Sequence, residues 1–512
     1  MFITSTSLPS INQTFFRALL WKPSKYGTAP CYFQAHILTH NDTPTPIMTR
    51  CVAFLAITSL LLCSSHAFQP AAVIRQPTFS VRPSFHATAL FETKQVTEIP
   101  SSGGTATVSQ LIFNLVKGIV GAGVLSLPAG IAKYGNAPGA VTPAVFLIAA
   151  IGSLSAYGFA LIGRSCALTG TKTFRQAWSA AVSEKSSWIP AWSVTLKTMF
   201  AVLAYSMILG DTFASLFATA GFAVSKSTAL IGVTSTLLLP LCLLKNLNAL
   251  APFSLLGSLG MVYTAIAMAI RYFGKAYAVG GKFAKDLPVS LQPAFGTQSS
   301  VFNPASTILL GMLSTAYMAH FNAPKFYTEL KDNTIPRYVK VVATSFAISI
   351  GLFASMAGIG FLTFGGNSAG LILNNYSSRD GLMSISRFAV ALSLVFSYPL
   401  AFTGARDGVL DLLKVNNASN KFLNLLTVGL LSGITGLAII IPDVSFVMAF
   451  AGATLGNALI YIYPAIMFRG AVNKLSNPTK MQKRETKFAM GSAFLGVAMG
   501  TVGAIKAVQN YL

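Results

Sequence analysis

From Thr107 to the C-terminus, apolar runs of about 20 residues recur between short polar loops, each long enough to cross ~30 Å of hydrocarbon as a helix. No water satisfies backbone N–H and C=O groups inside a bilayer, so such runs fold as helices that close their own hydrogen bonds. About eleven spans are predicted, over 107–132, 141–163, 198–218, 228–244, 249–272, 305–323, 339–364, 384–403, 423–441, 444–468 and 487–509. The expected fold class is an all-α, multi-pass membrane protein whose membrane domain covers 107–510. Composition removes the soluble alternative. Only 10% of the 512 residues are charged and 53% are hydrophobic, whereas soluble proteins carry roughly 25% charged residues.

The formal net charge of +23 would suit nucleic acid if the bases lined one stripe. Most gather instead in loops, as in Lys480, Lys483, Arg484 and Lys487, so the partner is the lipid bilayer and not nucleic acid. Loops that follow even-numbered spans hold more Lys and Arg, which places the N-terminus on the cytosol-like side. Arg271, Lys275, Lys282 and Lys285 run against this pattern. Cys31, Cys51, Cys63, Cys166 and Cys242 form no CxxC, so neither a disulfide framework nor a zinc site is indicated, and no Walker A pattern points to an ATP-driven pump. No cofactor is expected.

Residues 1–106 are a different kind of sequence, a targeting or disordered segment poor in acids, with none between Asp42 and Glu92. Met48-Thr49-Arg50 precedes an apolar run from Cys51 to Cys63, too short to span and right for a signal-peptide core. The following Ala67-Phe68-Gln69-Pro70 resembles the junction of bipartite presequences that lead into plastids of secondary origin. Phe68 to Phe91, with Arg75, Arg82 and no acid, has the composition of a transit peptide. This reading expects a plastid membrane and makes Met48 the true start; the other reading is a cytoplasmic tail with a chance apolar stretch.

Span 1 contains Gly118, Gly121, Gly123 and Pro128 at mid-membrane, and each weakens a helix. Span 6 carries a second interruption, Ala316 to Pro324, five spans later. Two broken helices at equivalent places in successive blocks of five point to an inverted-repeat transporter with a midplane site. Unwound backbone there offers N–H groups to an anionic group and C=O groups to a cation. Pro128 and Pro324 are the expected hinges, since proline removes a donor and disfavours helix at the preceding residue. The substrate carboxylate is expected at the N–H groups of Gly121, Ala122, Gly123 and Val124, beside Gly118, with Ser314 and Tyr317 as further substrate contacts.

These residues resemble the amino acid/auxin permease family, whose members include the sodium-coupled neutral amino acid transporters. The match covers most of 105–510. It rests on Phe113-Asn114-Leu115 followed by Gly121-Ala122-Gly123-Val124-Leu125-Ser126-Leu127-Pro128. Further support comes from Gly210-Asp211, from Ala316-Tyr317-x-x-His320 running to Tyr327-Thr328-Glu329-Leu330, and from Tyr398-Pro399-Leu400 with Arg406. The resemblance implies a LeuT-type fold of eleven helices, with helices 1–5 and 6–10 inverted relative to each other, and secondary transport of amino acids. It also implies a cation site between helices 1 and 8, near Asn114, Ser393 and Ser397. One position departs: four residues before Gly121 the sodium-coupled relatives usually carry Asn, and here stands Lys117. An ammonium supplies only donors and, at ~4 Å and an effective dielectric of about 20, repels a sodium ion by roughly 4 kcal/mol.

Lys117 therefore reads as a proton carrier, as a fixed cation surrogate, or as a lysine that snorkels to the interface. His320, the one histidine beyond residue 86, reads as a proton relay or as a packing histidine. Asp211 reads as a paired or capping acid. The leading function is a secondary amino acid transporter, proton-coupled or uncoupled rather than sodium-coupled. An enzyme is not expected, for there is no HExxH, no GxSxG and no Asp pair within a span. A sensor or assembly protein that retains the fold but does not transport is the alternative.

Overall fold

The computed structural model describes residues 104–244, 251–415 and 419–511. The presequence reading and the Met48 start fall outside these residues. Eight helices among the described residues are long and apolar enough to cross a membrane: Pro138–Thr169, Trp188–Thr219, Lys226–Leu243, Ile335–Phe364, Gly381–Leu412, Asn420–Ile440, Val444–Asn473 and Lys480–Asn510. A ninth arises if Val108–Ile119 and Ala122–Ala132, bent by 41° at their junction, are taken as one span. The two remaining windows also hold helices, Ala251–Phe273 and the pair Ser306–Ala316 and Ala323–Glu329. Helices thus occupy all eleven expected windows, and they are numbered as spans 1–11 below. Span 3 differs in length: it was expected from 198 and begins ten residues earlier, at Trp188.

Local chemistry sets several ends. Thr107 caps span 1 with a reciprocal box, its Oγ1 accepting from the Gln110 N–H at 3.3 Å while the Gln110 side chain accepts from the Thr107 N–H at 2.9 Å. Gly170, at φ +67°, ends span 2 in a left-handed turn that glycine adopts without strain. Pro128 and Pro324 both stand in the first turn of a short second helix, Leu127–Ala132 and Ala323–Glu329. A missing N–H costs nothing there, so each proline starts the half-helix that follows a break.

Contacts between loops define two faces. On the N-terminal face, Ala106 pairs in parallel with Leu330 at the end of span 6, Arg175 binds Asp411 at 2.8 Å, and Arg164 of span 2 pairs with Glu485 of span 11. On the opposite face, Asp380 caps span 8 and accepts from Arg271 at 2.6 and 2.8 Å and from the Tyr277 hydroxyl at 2.9 Å. Arg387, 1% exposed, donates to the carbonyls of Leu373, Tyr376 and Ser377. One of the bases that ran against the loop-charge pattern is thereby accounted for, since Arg271 anchors Asp380; on the same face the exposed Arg379 lies 3.5 Å from Asp286.

Packing between spans depends on small residues, as expected where lipid tails give helices no hydrophobic drive to associate. A Cβ on Gly158 of span 2 would collide with the Ile460 carbonyl oxygen of span 10, and one on Gly311 of span 6 with the Ala449 carbonyl oxygen. Large apolar side chains such as Phe146, Phe388, Leu425 and Phe494 point outward and are exposed, which suits a surface solvated by lipid.

Candidate functional site

The break in span 1 is local and specific. Val120 closes the first helix through its N–H to the Val116 carbonyl at 2.7 Å, and Gly121 follows in extended conformation at φ −119°, ψ −175°. A tight 3-10 turn, Ala122–Ser126, then leads into Leu127–Ala132. The Gly121 N–H bonds to the Ile119 carbonyl and the Val124 N–H to the Gly121 carbonyl. This leaves the N–H groups of Ala122 and Gly123 as the donors that a helix start cannot satisfy internally. In span 6 the first helix ends at Ala316, and a single 3-10 turn, His320–Asn322, precedes the second half.

Both breaks border one cavity of about 740 Å³, within the usual range for small-molecule sites. Its lining follows helical spacing on four elements: Asn114, Lys117, Gly118 and Gly121 of span 1; Lys197, Ala201, Ala204 and Ile208 of span 3; Asn322, Lys325, Phe326 and Glu329 of span 6; Ser397, Leu400, Ala401 and Gly404 of span 8. Steps of three and four residues put each set on one helix face. The lining runs from exposed Asn114, Lys325 and Glu329 at the N-terminal face to Gly123, Thr315 and Met448 within.

A Cβ built on Gly118 or Gly121 meets no atom within 4 Å, so these glycines hold open space rather than a helix contact. Gly123 is tighter, its Cβ position lying 2.7 Å from the flexible Met448 methyl. Of the residues singled out in the sequence, the cavity brings together Asn114, Lys117, Gly118, Gly121, Ala122, Gly123 and Ser397. It does not bring in the others. Val124 is fully buried. The Ser314 hydroxyl donates to Asn457 Oδ1 at 2.7 Å, and the Tyr317 hydroxyl to the Ile148 carbonyl at 3.1 Å, both in the protein interior. His320 Nε2 lies 2.8 Å from the Ser155 carbonyl oxygen, as for a donor holding span 6 to span 2. Ser393 packs against Gly257 of span 5, in the space a Cβ there would need.

Asp211 pairs with Lys226 at 2.9 Å, which meets its expectation as a paired acid. Arg406 donates to Thr427 Oγ1 at 3.1 Å and so ties span 8 to span 9. Lys197, Thr198, Tyr205, Thr315 and Asn322 also line the cavity and were not singled out. For span 3 the signal was present in the sequence, a polar residue opening a small-residue face at 197, 201 and 204.

Side-chain bonds divide the walls into two groups. Tyr338 of span 7 donates to the Phe159 carbonyl of span 2, and Ser345 of span 7 to the Ile112 carbonyl of span 1, so spans 1, 2, 6 and 7 are tied together. Ser206 of span 3 bonds Tyr398 of span 8 at 2.9 Å. The cavity lies on the seam between these groups.

A sequence profile for the family described as "Transmembrane amino acid transporter protein" matches residues 104–509. A mouse protein named "Putative sodium-coupled neutral amino acid transporter 11" is 23% identical over 420 residues, 80% of this chain and 86% of its own length. "Amino acid transporter AVT6E" of Arabidopsis thaliana is 25% identical over 434 residues, 80% of this chain and 85% of its own. Among solved structures, one described as "Inward facing conformation of Mhp1" superposes with a TM-score of 0.55 at 12% identity, covering 82% of this chain and 93% of that one. That likeness is one of fold, the LeuT-type arrangement expected from the span-1 and span-6 motifs.

Proposed function

Because the chain belongs to the transmembrane amino acid transporter family, we propose that it carries amino acids across a membrane as a secondary transporter working by alternating access. The observation that carries this reading is the single cavity bordered by both helix breaks. In it, the substrate carboxylate binds the N–H groups of Ala122 and Gly123, at the positive end of the second half of span 1. Spans 1–5 and 6–10 form the two inverted halves, and the cavity opens to the N-terminal face, which the loop charges assign to the cytosol-like side.

Transport does not depend on sodium. Lys117 shares the cavity with Ser397, so a cation between spans 1 and 8 would share that space with an ammonium. Either Lys117 gives up and regains a proton during the cycle, or it stays charged and the protein exchanges substrates without an ion. The test is uptake of labelled amino acids by proteoliposomes holding the purified full-length chain, with sodium replaced by choline. Undiminished uptake is expected, and an imposed pH gradient separates the two versions. Strict dependence on sodium would overturn the coupling proposal, and no uptake or exchange of any amino acid would overturn the carrier reading itself.

A further inference from the structure

Besides the groups that hold the common part of an amino acid, the cavity is lined by three lysines, of which Lys325 faces an acid, Glu329, and two do not. Lys117 of span 1 and Lys197 of span 3 both line it. Lys117 stands nine residues past Val108 and Lys197 nine residues past Trp188, the first residues of their helices. At 1.5 Å per residue each lies about 14 Å along its axis. Both helices start at the N-terminal face, and the two lysines line the same cavity, each in the third turn from those starts.

Neither lysine belongs to any ion pair found among the described residues. The one acid in the lining, Glu329, faces Lys325 at 3.7 Å near the mouth. Lys197 is 5% exposed, so far less water reaches its charge than at a surface. Asn114, Thr198 and Ser397 contribute dipoles but no negative charge. Two lysines, Lys197 buried and Lys117 half-buried, thus stand on the cavity wall within a span, where a charge is costly, and no ion pair among the described residues meets either of them.

A neutral amino acid, whose own charges cancel, leaves that imbalance unchanged. A second carboxylate on the substrate offsets one of the two positive charges, and its two oxygens have lone pairs enough to accept from both ammonium groups. We propose that this carrier is selective for acidic amino acids, with the side-chain carboxylate held between Lys117 and Lys197 and the α-carboxylate at the span-1 break. The inference rests on the carrier reading above and adds the substrate class.

Glutamate and glutamine differ in little but that charge, so the pair isolates it. Proteoliposomes holding the full-length protein and preloaded with unlabelled amino acid are assayed for exchange with labelled L-glutamate and L-glutamine. Each is run with chloride present and with chloride replaced by gluconate. The expected result is a preference for glutamate of about tenfold or more in kcat/KM, the scale of one charge-assisted hydrogen bond, and the same preference in gluconate. Lys197→Gln should bring the glutamate-to-glutamine ratio down about tenfold, and Lys197→Arg, which keeps the charge, should retain most of it. Exchange of glutamine with no preference for glutamate overturns the proposal and leaves the carrier reading standing. So does a preference that vanishes without chloride, since a small anion then answers the lysines, and so does a ratio unmoved in Lys197→Gln. Failure to exchange any amino acid, whether acidic or neutral, removes the carrier reading and this proposal with it.

Discussion

Replacing Gly121 by valine separates a glycine kept for the ligand from one kept for the fold. Gly121 is extended at φ −119°, a conformation open to any residue and favourable to a β-branched one, and its Cβ position meets no atom within 4 Å. The variant should therefore fold with a stability change within about 0.5 kcal/mol, as for a substitution that touches nothing. The new isopropyl group projects into the space beside the Ala122 and Gly123 N–H groups, where the carboxylate is proposed to sit. Losing one charge-assisted hydrogen bond costs about 1.5–3 kcal/mol, a loss of roughly 10- to 150-fold in apparent affinity. Gly158→Ala supplies the contrast. Its Cβ would strike the Ile460 carbonyl oxygen, so spans 2 and 10 must separate at a cost of about 1–3 kcal/mol, while the cavity keeps its lining. Thermal unfolding in detergent and concentration-dependent uptake, measured on both variants, should give opposite patterns: stable and impaired for Gly121→Val, destabilised with near-normal affinity for Gly158→Ala. Near-normal affinity in Gly121→Val would place the carboxylate elsewhere, and a collapse of its stability would show that Gly121 is kept for the fold.

Tyr317→Phe should cost about 1 kcal/mol of stability through the lost bond to the Ile148 carbonyl and leave apparent affinity unchanged, because the hydroxyl does not reach the cavity; a tenfold rise in KM would return Tyr317 to the substrate site. Asp380→Asn should destabilise by about 2–3 kcal/mol in thermal unfolding, somewhat less than a fully buried pair because Arg271 is 23% exposed, and Asp380→Leu paired with Arg271→Met should recover part of that loss. Residues 48–106 fused to a fluorescent reporter should direct it to plastids, and diffuse cytosolic signal would sink the presequence reading.

The two helix breaks were legible because glycine and proline announce them: Gly121 sits at the junction of span 1, and Pro128 and Pro324 each open a second half-helix. The inward roles of Tyr317 and Ser314 were not, and His320 was left open between a proton relay and a packing histidine. Each side chain bonds a group 143–169 residues away in sequence, the Ile148 and Ser155 carbonyls of span 2 or the Asn457 side chain of span 10. One helix cannot reveal which neighbour will supply the partner. Periodicity places a polar group on a face, and tertiary packing decides whether that face meets a cavity or another helix.

Lys197 was hidden for a different reason. Hydropathy began span 3 at 198, because a lysine just before an apolar run reads as the end of a loop. The helix in fact begins at Trp188, and Pro190 lies in its first turn, where proline is tolerated. The ten residues so added carry Lys197 from the expected membrane edge to about 14 Å along the helix, on the wall of the cavity that Lys117 also lines. A charge assigned to a loop raises no question about what answers it, whereas a charge inside a span calls for a partner or a task. The substrate class proposed here therefore turns on where one helix starts, and Lys197→Gln tests that boundary as directly as it tests the ligand.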